Sequence, residues 1–260
     1  MSVMDEVHRT FENWMILEST DALDILAGTV IGTRLDGPPL FLVLLGASGS
    51  GKSEMVEALS DVKDVYPLSD MTPQTLLSGK MMEEGSLLLK LPKDRPTIFT
   101  FKDFAPILSG RHEDRRKIMS QLREIYDGST KKAFGGTKPK VWKGKVSLIA
   151  ASTGVYDEIS QDMAFFGERY LIFRPLEADR GQIACKASRS TKEAEAMKTE
   201  LKRAFKLLDS LKPREIPVST EVGAYTAMLA DFTSRLRSPV YRDGYTREVA
   251  GEVQLESPAR

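Results

Sequence analysis

The stretch Leu40-Phe41-Leu42-Val43-Leu44-Leu45-Gly46-Ala47-Ser48-Gly49-Ser50-Gly51-Lys52-Ser53 decides the fold. Its first half is a continuous apolar run of strand length, the pattern of a strand covered on both faces, as in a parallel sheet flanked by helices. Its second half fits G-x-x-x-x-G-K-[ST], and the helix pattern Ser53-Glu54-Met55-Val56 follows it. Glycines let the backbone curl so that successive N–H groups and the helix N-terminus face the oxygens of a polyphosphate. On that geometry Gly46, Ala47, Ser48, Gly49, Ser50 and Gly51 cradle phosphates, Lys52 adds a cation near the β- and γ-phosphates, and the Ser53 hydroxyl ligates Mg²⁺. The expectation is ATP or GTP binding.

Working outward, strands are expected at 64–68, 97–101, 146–151 and 170–173, separated by helical patterns such as 115–126 with Ile118, Leu122 and Ile125 on one face. The alternation predicts a doubly wound α/β core over residues 37–175, a parallel sheet with flanking helices. Upstream, Met4, Val7, Phe11 and Trp14 fall at helical spacing, and Ser19-Thr20-Asp21 offers a cap before 22–31, so residues 1–36 read as two lead-in helices. Strand signals stop near residue 176. Helical patterns at 191–211, with Leu201, Phe205 and Leu208, and at 218–236 predict an all-helical subdomain over 176–236, and 237–260 is a tail poor in apolar residues. The segment 69–79 also has the look of a helix start.

Three further positions carry chemistry. The apolar run 97–101 leads through Lys102 to Asp103, a carboxylate placed where a magnesium ion is held. The strand 146–151 closes on Ser152 and Thr153; a polar side chain at that tip can reach a γ-phosphate or the attacking water, with Thr153 first and Ser152 second. Arg169 directly precedes the last strand and Arg174 follows it; an arginine there, Arg169 ahead of Arg174, can be supplied to a neighbouring subunit's nucleotide.

Composition sets the outer bounds. The chain has 260 residues, 41% hydrophobic and 28% charged, which suits an ordinary globular protein with a sizeable core. No apolar run approaches the ~20 residues of a membrane helix. The charged N-terminus lacks the apolar core of a secretory leader, and a lone cysteine, Cys185, forms no intramolecular disulfide, so a soluble, cytoplasmic chain is expected. His8 and His112 have no Cys or His companions that would suggest a metal site. Lysine plus arginine equals aspartate plus glutamate, 37 each, so a nucleic-acid partner would have to be recognised locally. One local asymmetry exists: between Ser129 and Lys145 lie Lys131, Lys132, Lys138, Lys140, Lys143 and Lys145 without an acid, around Phe134, Gly135, Gly136 and Trp142. Gly135-Gly136-Thr137-Lys138-Pro139 reads as a hairpin tip. Lysines on such a projection can follow a phosphate backbone and an exposed aromatic can stack on a base. A solvated lysine-rich loop with Trp142 packed on the sheet, or a contact to an acidic protein, would use the same residues.

With these residues in place, the sequence resembles the AAA+ ATPases, the ring-forming P-loop class. The matching residues are Gly46 to Ser53 (Walker A), Ile98 to Asp103 (Walker B), Leu148 to Thr153 (sensor 1) and Gly167 to Arg169 (arginine finger). Ser120 to Gly128 followed by Phe134-Gly135-Gly136 is similar to the branch with a β-hairpin before sensor 1, which includes minichromosome-maintenance helicases and bacterial enhancer-binding activators. ATPases of phages and mobile elements are similar too. The resemblance implies a P-loop NTPase with a small C-terminal helical lid, ATP and Mg²⁺ as cofactors, a homo-oligomeric ring, and a DNA motor, helicase or helicase loader in the replication of a phage or mobile element. A transcription activator, a remodeller or a non-hydrolysing scaffold are the alternatives, and the GAFTGA-like loop of the activators is absent. One departure stands out: the glutamate that usually follows the Walker B aspartate is replaced by Phe104, leaving Glu113, Asp114 and Asp127 as candidate bases. Sensor 2 has three candidates, Arg235, Arg237 and Arg242.

Overall fold

All five residues of Phe41–Leu45 (β1) are buried, and the reason lies on its two sides. Leu42 and Leu44 enter one apolar core and Phe41 the other, because successive side chains of a strand point to opposite faces. Val146–Ser152 (β6) divides in the same way, with Ile149 and Ala151 on the first face and Leu148 and Ala150 on the second. The computed structural model describes residues 2–78, 86–133, 139–159, 169–190, 193–214 and 217–237. They fall into two units, Met1–Pro213 and Arg214–Arg260.

In the first unit a five-stranded parallel sheet has the order Val65–Leu68 (β2), Thr97–Phe101 (β3), β6, β1 and Tyr170–Phe173 (β7). The four strands expected besides β1 are present within two residues of the bounds read from sequence. Helices cover both faces, so the chain is a mixed α/β protein. On the first face lie Val3–Trp14 (α1), Asp21–Thr33 (α2) and Lys52–Glu57 (α3), the last continued by a 3-10 turn, Ala58–Asp61. On the second lie Ala105–Ser109 (α5) and His112–Tyr126 (α6), with the short Leu87–Lys90 (α4) beside them. Ile118, Leu122 and Ile125 of α6 are buried, as their spacing predicts.

Local chemistry explains the element ends. Ser2 and Asp5 form a reciprocal capping box on α1: Asp5 N–H donates to Ser2 Oγ at 3.1 Å and Ser2 N–H to the Asp5 carboxylate at 2.6 Å. At α2 the hydroxyl that accepts an end N–H is that of Ser19, from Asp21, while the Thr20 side chain makes no cap bond. A fully buried hydroxyl, Ser147, accepts from Leu40 N–H at 3.0 Å and lies 2.8 Å from Thr33 Oγ1, tying the end of α2 and the start of β1 to β6. The helix-start look of 69–79 resolves, over its described residues 69–78, into a turn in which Thr72 N–H donates to Thr75 Oγ1; the side chain satisfies the backbone before a helix can propagate.

Beyond β6 comes the one-turn Val155–Glu158 (α7), and beyond β7 come Arg180–Ser190 (α8) and Ala194–Lys206 (α9), then a 3-10 turn, Leu207–Ser210. Leu201, Phe205 and Leu208 are buried in the first core, where Phe205 meets Phe11 of α1 with ring centroids 5.0 Å apart. Trp14 Nε1 donates to Glu200, and Arg34 pairs with Asp209 at 2.6 Å. The first unit therefore runs through to Pro213, past the change at 175/176 where strand signals end. In the second unit the described element is Thr220–Arg237 (α10), with Val222, Tyr225, Met228, Leu229 and Phe232 exposed. Among the described residues no helix is long and apolar enough to cross a membrane.

Phe11→Ala should lower the unfolding free energy by about 3–5 kcal/mol, the range for emptying a buried aromatic site. Urea denaturation followed by circular dichroism checks it.

Candidate functional site

Because β3, β6 and β1 run parallel and side by side, their C-terminal ends finish on one rim of the sheet. The glycine-rich loop leaves β1 there, and its turn needs two left-handed residues, Gly49 at φ 78° and Gly51 at φ 81°. A Cβ at Gly51 would also collide with the Met15 methyl group just past the end of α1. The loop is tied to its neighbours: Gly46 N–H donates to Ser152 O at 3.3 Å, and Ser53 Oγ donates to Lys102 O at 2.8 Å. Beside it, Phe104 N–H donates to Ala151 O at 2.8 Å and Asp103 Oδ1 accepts from Ala105 N–H at 3.0 Å, fixing the carboxylate at the end of β3.

A cavity of about 160 Å³ results, lined by residues 48–54, Lys102, Asp103 and residues 151–153. Lys52, Ser53, Asp103 and Thr153, chosen from separate stretches of sequence, share it. Lys52 is only 6% exposed, and its ammonium donates to Ala47 O at 2.6 Å and Ser50 Oγ at 2.8 Å. Burial pushes its pKa below the usual lysine value, and the negative charges of Glu177, Glu54 and Asp103 pull it part of the way back. A larger cavity of about 490 Å³ adjoins the loop at Ala47, Ser48, Gly49 and Ser50, with Ile16, Leu17, Met55, Leu176 and Ile183 among its walls.

Other candidates lie elsewhere. Arg169 precedes β7, whose Tyr170 pairs with Phe41 at the start of β1, so it sits at the opposite rim, a strand length of ~13 Å from the loop end. Its guanidinium reaches Asp127 at 3.2 Å and lies over the Tyr126 ring at 5.4 Å. Arg174, at the loop end of β7, pairs with Asp157 at 2.7 Å, a bond that holds its guanidinium in the charged form. The candidate bases are not in the small cavity: Glu113 and Asp114 are in the first turn of α6, and Asp127 is with Arg169. Phe104 is fully buried, its ring 5.2 Å from that of Phe101. Arg235 and Arg237 belong to α10 in the second unit, and Arg242 lies outside the described residues.

The lysine-rich segment forms an antiparallel pair, Ser129–Lys132 (β4) and Lys140–Lys143 (β5), whose tip at 134–138, with Lys138, lies outside the described residues. Thr130 and Trp142 face each other across the pair and are buried, Trp142 in the second core and the Thr130 hydroxyl bonded to the Glu124 carboxylate. Trp142 is thus a packing residue; the exposed aromatic expected for base stacking is not this one. The opposite face presents Ser129, Lys131, Val141 and Lys143, all exposed. Lys132 and Lys140 are half-buried on the inner side, and Lys140 Nζ donates to the buried Ser86 hydroxyl at 3.1 Å. Lys145 is likewise a structural residue, donating to Leu35 O at 2.6 Å; burial lowers its pKa and Asp36 offsets part of that.

Glu54, Glu177 and the walls of the larger cavity were not singled out from sequence. Glu54 follows directly on the loop motif and was within reach of a local reading; Ile16, Leu17 and Glu177 come from distant segments and carry no local signal.

No family model matches the sequence, and no curated protein matches it. Among solved structures the chain is similar to the A-form apo structure of the NrS-1 C-terminal region, with 12% identity and a TM-score of 0.45. That superposition covers 90% of this chain and 54% of the other, so the chain spans about half the length of that structure.

Gly51→Ala should cost about 1–2 kcal/mol from the left-handed φ, with little added by Met15, whose terminal methyl is the end of a flexible side chain and can swing aside. Urea titration of the variant against wild type checks it.

Proposed function

We propose that this protein is a P-loop nucleoside triphosphatase of the AAA+ type that binds Mg·ATP and acts on DNA as part of a homo-oligomeric ring. The observation that carries the reading is the meeting of Lys52, Ser53, Asp103 and Thr153 around one cavity at the ends of adjacent parallel strands. A buried ammonium held by loop oxygens is poised to exchange them for phosphate oxygens. The Ser53 hydroxyl and the Asp103 carboxylate are hard oxygen donors that fit Mg²⁺. The ion, when bound, neutralises charge on the β- and γ-phosphates. Thr153 stands on the same rim to contact the terminal phosphate, and the larger apolar cavity has the size for a nucleobase and ribose. On this reading α8, whose Ile183 lines the larger cavity, acts as lid.

Arg169 stands at the rim opposite its own loop and would serve only a neighbouring copy, leaving Asp127 to do so. The outward hairpin face, Lys131 and Lys143, is the part of the lysine cluster suited to a phosphate backbone, because Lys140 is held by Ser86. Motor, helicase or helicase-loader action in phage or mobile-element replication rests on the resemblance. A second reading, a nucleotide-gated scaffold or protein-interaction switch without appreciable turnover, is favoured by one observation. The place of the usual water-polarising glutamate is taken by Phe104, whose ring lies inside the core, so that no side chain from this position reaches the cavity.

Isothermal titration with Mg·ATP and Mg·GTP, followed by turnover assays with and without single-stranded DNA, tests both. Lys52→Ala should abolish binding. Turnover stimulated by DNA should disappear in Lys131→Glu/Lys143→Glu with nucleotide binding intact, and Arg169→Ala should bind nucleotide yet lose turnover in the assembled form. Normal hydrolysis by Arg169→Ala would remove its assignment, and binding without turnover under every condition would favour the scaffold.

A further inference from the structure

Helix α10 carries an apolar seam that its own fold leaves in solvent. Val218, Val222, Tyr225, Leu229, Phe232 and Leu236 follow one another at steps of four, three, four, three and four, the a/d spacing of a two-stranded coiled coil. Val218, Val222, Tyr225, Leu229 and Phe232 are each more than half exposed, whereas the apolar stripes of α6 and α9 are buried. A helix of this length that contains Gly223, Thr226 and Thr233 is marginal by itself, because most helical stability comes from packing an apolar face. Thr226 and Thr233 flank the seam and turn their hydroxyls back, donating to Val222 O at 2.8 Å and Leu229 O at 2.9 Å. They bring no unpaired donor to it.

We propose that this seam docks α10 of a second copy of the chain, the two helices running antiparallel. The narrow a/d spacing selects the occupant: a helix of the same period supplies knobs for the holes of this one, while packing on a broad protein surface calls for a wider apolar face. In an antiparallel pair an a residue shares a layer with a d residue. Val222 then meets Phe232 of the second copy and Tyr225 meets its Leu229, one aromatic ring against one aliphatic side chain in each layer. Charge fixes the direction. Glu221 is in the first turn and Arg235 stands two heptads later at the equivalent position, so antiparallel pairing brings each Glu221 level with Arg235 of the other copy, once at either end. A parallel pair would set Glu221 beside Thr226 and align the two helix dipoles unfavourably. The seam and its counterpart would remove on the order of 600 Å² per copy from water, the lower bound for a specific interface, which corresponds to association in the roughly micromolar range. The pairing is independent of the nucleotide reading, since an isologous contact joins copies two by two and does not itself close a ring.

Sedimentation of the full chain without nucleotide, over a range of concentrations, tests it together with hydrogen exchange. Wild type should pass from monomer to dimer, and the amides of 220–237 should gain protection over the same range. Leu229→Asp/Phe232→Asp should weaken the dimer by more than a hundredfold, with the circular dichroism of the rest of the chain unchanged because both positions are exposed. Glu221→Arg and Arg235→Glu should each weaken self-association about tenfold, and a mixture of the two variants should recover it, because only unlike partners then pair at both ends. A wild-type chain that stays monomeric, a dimer indifferent to Leu229→Asp/Phe232→Asp, or protection of 220–237 that does not depend on concentration overturns the proposal. Loss of the dimer in the double variant without any effect of the two charge reversals overturns the antiparallel register. None of these results bears on the glycine-rich loop.

Discussion

The parallel pairing of β1 with β6, and of β6 with β3, is the constraint on which the site depends. Leu45 pairs with Ser152 and Phe101 with Ala150, so the three strands finish within about two residues of each other. Whatever follows each strand must then share a rim, and the three cross-links from Gly46 to Ser152, Ser53 to Lys102 and Phe104 to Ala151 draw the connections together. An antiparallel neighbour would have sent one of these connections to the far end. The same rule puts Arg169, which precedes a strand, on the opposite rim from the loop of its own chain.

Charge at that rim is arranged economically. Lys52 is buried, and a buried ammonium is costly unless dipoles or anions attend it. Ala47 O and Ser50 Oγ supply the dipoles, and three carboxylates supply field of the opposite sign. Nearby, Phe104 fills the second core. Its apolar contacts hold the segment after β3 against the sheet, which steadies Asp103 and at the same time denies the rim an acid at that position. Stability and the missing acid are two consequences of one ring.

The hairpin and the C-terminal helices show how packing divides residues that look alike in sequence. Lys131, Lys140, Lys143 and Lys145 belong to one basic run, yet two of them face solvent and two are fastened, to Ser86 and to Leu35 O. The period of two in a strand separates them: Lys131 and Lys143 share a face with Val141, and Lys140 shares one with Trp142. Likewise α9, which follows the sheet in sequence, belongs with α1 in space, through the Phe11–Phe205 contact.

Local sequence determined the elements of this protein. The apolar run at β1, the glycines that only a left-handed turn requires, the strand ends at Asp103 and Thr153 and the buried faces of α6 and α9 were all legible, because hydrophobic period and backbone stereochemistry act between residues close in the chain. Tertiary structure alone decided which of these meet. It placed Met15 on Gly51, Glu177 in one cavity wall with Ala47 to Ser50, Phe104 inside the core and Lys140 on Ser86. Each of these joins segments far apart along the backbone, and their proximity comes from the order and direction of strands and the packing of helices, which no short window of residues encodes.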